Sequence, residues 1–175
     1  ISKTSKNNKT KFFNKYNKYP KINLEVKKKL SEADIIIYGP GTQYSSLFPS
    51  YLTQNLRQTI ENSKAKKFLI TNIFLDNDII NENVEDIINK FNFFFQKNHK
   101  NKLRKPLVNY YLINKYDDDD INLLKKDNYL LYDKKKNFTL LDWEKSEGLH
   151  YPNWLAKKIF GLSKKSQIIK SLPKS

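Results

Sequence analysis

The chain has no cysteine, which excludes disulfides and thiolate metal sites and fits a reducing compartment. Arginine is nearly absent as well. Of 33 basic residues, only Arg57 and Arg104 carry a guanidinium. Arginine does most of the bidentate reading of phosphates and bases, so a net charge of +15 built from lysine argues weakly for a nucleic-acid surface. Lysine rises here together with asparagine and isoleucine, three residues with A/T-rich codons, and biased genome composition accounts for the trio without a ligand. A basic nucleic-acid binder is therefore the last of three readings. No apolar run approaches the roughly 18–20 residues of a membrane helix, and residues 1–18 are polar and lysine-rich, without the apolar stretch of a secretory signal. A cytoplasmic protein that does not engage the membrane is the expectation. There is no Gly-x-Ser-x-Gly elbow and no Walker loop, which removes the common nucleophilic hydrolase and P-loop readings.

What is present suits one folded domain. The chain has 175 residues, 38% of them hydrophobic and 14% aromatic, and disordered chains are poor in aromatics. Residues 1–18 read as a flexible basic arm, 19–162 as the folded body and 163–175 as a polar tail. Residues 20–30 read as a short helix capped by Asn23. Ile35 to Tyr38 is a continuous apolar run, which predicts a strand covered on both faces and hence a parallel sheet. Residues 49–63 and 81–97 show helical spacing of apolar residues, the second capped by Asn83 or Asn81. Residues 66–73 and 106–113 read as further buried strands. Residues 129–133 and 138–141 read as short strands joined by a lysine-rich turn, and 152–160 as a closing helix that Pro152 opens. Strand and helix alternate, so the predicted fold class is α/β: three layers around a mostly parallel sheet. Residues 39–46, 72–78 and 114–120 then meet at the carboxyl rim of that sheet.

The first of these loops carries most of the information. Ala33 to Tyr38 runs directly into Gly39-Pro40-Gly41-Thr42, and a hydroxyl cluster and Pro49 follow. Glycine lets a backbone turn and lets a ligand approach without a Cβ in the way. Thr42, Ser45 and Ser46 offer hydroxyls, and a helix from about Pro49 adds its positive end, so the loop predicts anion binding. Asn72, at the end of the second strand, either ties neighbouring loops together or faces ligand. Asp76 and Asp78 are candidate ligands for magnesium, although a solvated loop or a helix cap also accounts for them. Asp117 to Asp120 read as a solvated turn. His99 is expected in an exposed loop. His150 is expected to be a paired structural histidine; Asp142 and Glu144 are close enough in sequence to form a carboxylate–imidazole pair with it, but nothing in the spacing fixes one.

The stretch from Ala33 to Pro49, ADIIIYGPGTQYSSLFP, resembles the hallmark of the CofD/YvcK family, which joins 2-phospho-L-lactate transferases to gluconeogenesis-factor-like proteins. Residues 63–73 are similar to that family's next strand, and Gly148-Leu149-His150 with Leu155-Ala156 is similar to its closing segment. The resemblance implies a Rossmann-like fold and a phosphate-bearing small ligand, a nucleotide or nucleotide sugar, with Gly39, Pro40, Gly41, Thr42, Tyr44, Ser45, Ser46 and Asn72 around it. The hydroxyl cluster resembles the gluconeogenesis-factor branch more than the transferase branch. Transfer of a phospholactyl group to a deazaflavin is the alternative, with magnesium as the cofactor it would use. A homo-oligomer is compatible with either. The family opens with a Gly-Gly-Gly-Thr-Gly type of loop that has no counterpart before Ile35, so the fold is expected to be incomplete at its N-terminus.

Overall fold

The computed structural model describes residues 11, 15, 19–97, 105–116, 120–136, 138–146 and 148–170. Helix α1 (Leu24–Glu32) leads into strand β1 (Ile35–Tyr38). A π-helical turn (Gln43–Leu47) continues into α2 (Phe48–Tyr51), and α3 (Leu56–Asn62) precedes β2 (Lys66–Ile70). Next come α4 (Val84–Gln96), β3 (Tyr110–Asn114), α5 (Ile121–Lys126) and β4 (Thr139–Leu141). A short ribbon of β5 (Glu144–Ser146) and β6 (Leu149–His150) precedes the closing helix α6 (Pro152–Lys170).

The four main strands form one sheet in the order β1-β2-β3-β4, and every pairing is parallel. All four carboxyl ends therefore lie on one rim. Helices cover both faces, giving the expected three-layer α/β architecture. On one face Ile36, Tyr38 and Leu69 pack against Phe48 and Tyr51 of α2 and Phe91, Phe94 and Phe95 of α4. Rings interlock there: Tyr38 meets Phe91 edge-on at 4.8 Å, and Tyr51 stacks on Phe95 at 4.5 Å. Each such pair adds about 0.5–1.5 kcal/mol beyond the area it buries. On the other face Phe68, Ile70 and Leu112 pack against Trp143 and Ile159 of α6.

Local chemistry sets the helix starts. Asn23 caps α1 by accepting from the Glu25 and Val26 amides at 2.8 and 3.4 Å. Asn83 caps α4 through a reciprocal box in which its side chain accepts from Asp86 N at 2.8 Å while Asp86 accepts from Asn83 N at 3.1 Å. Asn81 is not the cap; its backbone is left-handed (φ 67°).

Several expectations are corrected. Among the described residues β1 is an edge strand, and Ile37 is half exposed, so the strand is not covered on both faces. The helix expected over 49–63 begins earlier and is broken in the middle. The Leu47 amide reaches the Thr42 carbonyl at 3.1 Å, closing a wide turn before Pro49. The chain then leaves the helix because Gln54 exchanges backbone hydrogen bonds with Pro20 and Ile22, and Asn55 (φ 67°) reverses its direction before α3. Of the two short strands expected over 129–133 and 138–141, only the second forms. Asn128, Leu130 and Leu131 spend their backbone groups on Leu75, Ile73 and Val84, so Thr139–Leu141 adds to the parallel sheet beside β3 instead. α6 continues past Phe160 to Lys170, into the segment expected as a polar tail.

Candidate functional site

The rim at the ends of β1 and β2 brings together the loops expected to meet there. Gly41 sits at φ +154°, a conformation that side chains resist, whereas a Cβ on Gly39 would meet nothing within 4 Å. Of the two glycines, Gly41 alone is required by the turn. Its amide donates to Asn72 Oδ1 at 3.0 Å, and Asn72 Nδ2 donates to Asp76 Oδ2 at 3.1 Å. Gln43 Nε2 donates to the Gly41 carbonyl at 3.0 Å. Asn72 thus ties the two loops together, one of the two roles its position allowed.

The hydroxyl cluster is exposed, and Thr42 and Ser46 bond each other at 2.8 Å. Ser45 points both of its donors at one oxygen: its amide and its hydroxyl reach Asp78 Oδ2 at 2.9 and 2.8 Å. The positive end expected from a helix at Pro49 comes instead from the turn that begins at Gln43. Pro40 is exposed at the tip. Tyr44 is a correction. It is 1% exposed, packs edge-on against Phe48 and donates to Glu82 Oε1 at 3.1 Å, so it belongs to the core and not to a ligand surface. Lys90 also binds that Glu82 oxygen and lies over the Tyr44 ring at 5.0 Å.

Asp76 and Asp78, the candidate metal ligands, are engaged with donors of the chain. Asp76 Oδ1 accepts from the Asp78 amide at 2.8 Å, while its other oxygen holds Asn72. Burial pushes the Asp76 carboxyl up from its ordinary value, and the neighbouring Asp78 charge adds to this, against the hydrogen bonds that favour the anion. No group of three His, Cys, Asp or Glu able to hold a metal occurs among the described residues. The pair as arranged does not fit a magnesium site.

Further along the rim, the ends of β3 and β4 open a cavity of about 430 Å³ that Lys115, Tyr116, Leu124, Tyr129, Asp142 and Glu144 help to line. Glu144 organises its floor: it accepts from Tyr129 OH at 2.9 Å and from the Gly148 amide at 2.8 Å. Burial, together with that carboxylate, pushes the Tyr129 phenol up to about 12. Gly148 (φ +80°) has no room for a side chain, since a Cβ would lie 2.7 Å from the Phe74 ring. The sequence signal for this cavity was only that residues 114–120 lie at a strand end; Tyr129 and Glu144 carried none. His150 makes no hydrogen bond to Asp142 or Glu144, although Glu144 lies opposite it in the β5–β6 ribbon and acts on it through its charge. Its Nε2 donates to the Thr71 carbonyl at 3.1 Å, its ring packs on Trp143, and burial lowers its pKa. Asp120 caps α5 through the Asn122 and Leu123 amides. His99 and Asp117 to Asp119 lie outside the described residues. Arg57, half of the arginine complement, is buried.

With this geometry in hand, the family profile described as 2-phospho-L-lactate transferase CofD matches residues 1–151. The chain belongs to the CofD family. Two proteins named gluconeogenesis factor, from Listeria innocua and Listeria monocytogenes, are each 48% identical to it over 44 residues, 25% of this chain and 14% of theirs. A crystal structure of a UPF0052 family protein from Bacillus halodurans superposes with a TM-score of 0.62 at 17% identity, covering 80% of this chain and 47% of that one. This CofD-family chain thus spans about half the length of that solved relative, and its matched segment spans a smaller share of the curated ones. No described helix is long and apolar enough to cross a membrane.

Proposed function

We propose that this CofD-family chain binds the phosphate group of a nucleotide or nucleotide sugar at the Gly39–Ser46 loop. The observation that carries the reading is the convergence of the Ser45 amide and hydroxyl on a single carboxylate oxygen of Asp78. Two donors fixed on one anionic oxygen are the arrangement that a phosphate oxygen would use, at the start of a helical turn whose first N–H groups lack an intrahelical acceptor and carry partial positive charge. Asp78 holds that position here, so the ligand displaces it. The cavity at the ends of β3 and β4 supports a ligand that extends along the rim, with Tyr116 and Tyr129 as aromatic walls and Lys115 as a cation. Ligands of open α/β sheets lie outside the carboxyl ends of the strands. The resemblance of the hydroxyl cluster to gluconeogenesis factors agrees with the matches to proteins of that name, while the transferase description of the family profile keeps phospholactyl transfer as the second reading.

Isothermal titration with UDP-sugars and guanine nucleotides tests the reading. Ser45→Ala removes one of the two donors and is expected to weaken binding by roughly 3- to 10-fold, the worth of a hydrogen bond. Gly41→Val is expected to abolish it. Unchanged affinity in both variants ends the proposal. The transfer alternative predicts phospholactyl turnover that chelators suppress; binding without turnover leaves the first reading in place.

A further inference from the structure

We infer that Asp76 is a positioning residue of this loop, acting through the Asn72 amide on the Gly41 N–H. The inference rests on the phosphate-binding reading for its purpose, though not for its geometry. An asparagine side chain offers an acceptor at one end and donors at the other, and rotating it by half a turn exchanges them. Gly41 needs the acceptor, because its amide points at Asn72 from 3.0 Å. An ionised carboxylate only accepts, so Asp76 at 3.1 Å takes the Nδ2 end. Asp76 thereby selects the rotamer in which Oδ1 faces Gly41. Its second oxygen is held by the Asp78 amide at 2.8 Å, which keeps the carboxylate from turning away. Gln43 Nε2, bonded to the Gly41 carbonyl and 3.5 Å from Asn72 Oδ1, adds a second donor on the side that needs an acceptor. Gly41 is the one residue of the turn whose backbone conformation excludes a side chain, so fixing its amide fixes the loop.

The chain of partners makes a reciprocal exchange decisive. In Asp76→Asn the new amide has one acceptor for two donors, Asn72 Nδ2 and the Asp78 N–H, so one bond is lost and Asn72 is free to flip. In Asn72→Asp two carboxylates face each other across the same gap. In the double variant Asn72→Asp/Asp76→Asn every bond returns. The carboxylate at 72 accepts from Gly41 with one oxygen and from the amide at 76 with the other, and the amide oxygen at 76 accepts from Asp78 N–H. A residue that merely fills space would not be rescued this way.

Amide hydrogen exchange at Gly41, read by NMR, tests the geometry without a ligand, and titration with UDP-glucose and GDP tests the purpose. Asp76→Asn and Asn72→Asp are expected to speed Gly41 exchange by roughly 10-fold or more, the loss of one charge-assisted hydrogen bond. They are expected to weaken nucleotide binding by a similar factor, and the exchanged pair should return both readings to within about threefold of the starting protein. Thermal midpoints of all four proteins control for general destabilisation. Gly41 exchange unmoved by Asp76→Asn, or a double variant as impaired as the singles, overturns the inference. If exchange follows the expected pattern but neither nucleotide binds the unaltered chain, the positioning role stands and the phosphate-binding reading falls.

Discussion

Gly39 and Gly41 look alike in the sequence, yet they answer to different physics. Gly41 occupies a backbone region close to glycine-only, while Gly39 has open space where a Cβ would go. Gly41→Ala is therefore expected to cost about 1–3 kcal/mol, and Gly39→Ala to leave the urea midpoint nearly unchanged; equal effects would refute the distinction. His150 gives a second prediction at this scale. Its folded pKa lies below its unfolded value because burial disfavours the cation more than the Thr71 carbonyl and the Glu144 charge favour it. The unfolded chain then binds more protons than the folded one near and below pH 6.5, so stability is full above about pH 6.5 and falls as the solution is acidified toward the depressed folded pKa. Thermal midpoints between pH 5 and pH 8 should show this slope, and His150→Gln should flatten it. An identical slope in the variant would count against His150 as its source. The partner of His150 was not legible in the sequence, because the nearest candidates by number, Asp142 and Glu144, were taken by position and the actual acceptor is a main-chain carbonyl just beyond the end of β2. The engagement of Asp76 and Asp78 by donors of the chain was not legible for the same reason: spacing places carboxylates near each other but does not say which N–H groups reach them first.

At the scale of elements, composition identified the four strands of the main sheet and the longest internal helix. Four consecutive apolar residues make β1 and the apolar stretch of 66–73 contains β2, and the asparagine before Val84 marks the start of α4. Asn83→Ala removes one side of the capping box and is expected to cost about 1 kcal/mol, read as a lower thermal midpoint; Asn81→Ala should not reproduce that loss through the cap. Where element boundaries were misjudged, long-range backbone bonds decided the outcome. Residues 49–63 have an apolar helical spacing throughout, but Gln54 is claimed by Pro20, and no periodicity records that. Residues 128–131 have the composition of a strand, yet their partners lie in the β2–α4 connection and at the start of α4. The short ribbon β5–β6 escaped notice because strands of two and three residues carry too few side chains to show a period.

For the molecule as a whole, the alternation of strands and helices was enough to place three loops on one rim, and the candidate site is there. The residues that shape the neighbouring cavity come from segments far apart in the chain and assemble only once β4 joins β3. Among the described residues the same sheet order leaves β1 with a partner on one side, and Ile37 stands 50% exposed on it. An apolar border of this sort invites a strand from another molecule to lengthen the sheet. Light scattering of concentrated solutions is expected to show growth in particle mass with concentration, and Ile37→Lys should suppress it by placing a charge on that border; growth that persists in the variant would point to another surface. The isolated chain is therefore expected to handle as a sticky solution despite its large positive charge, since electrostatic repulsion acts over the whole surface while the attraction is concentrated along a single seam.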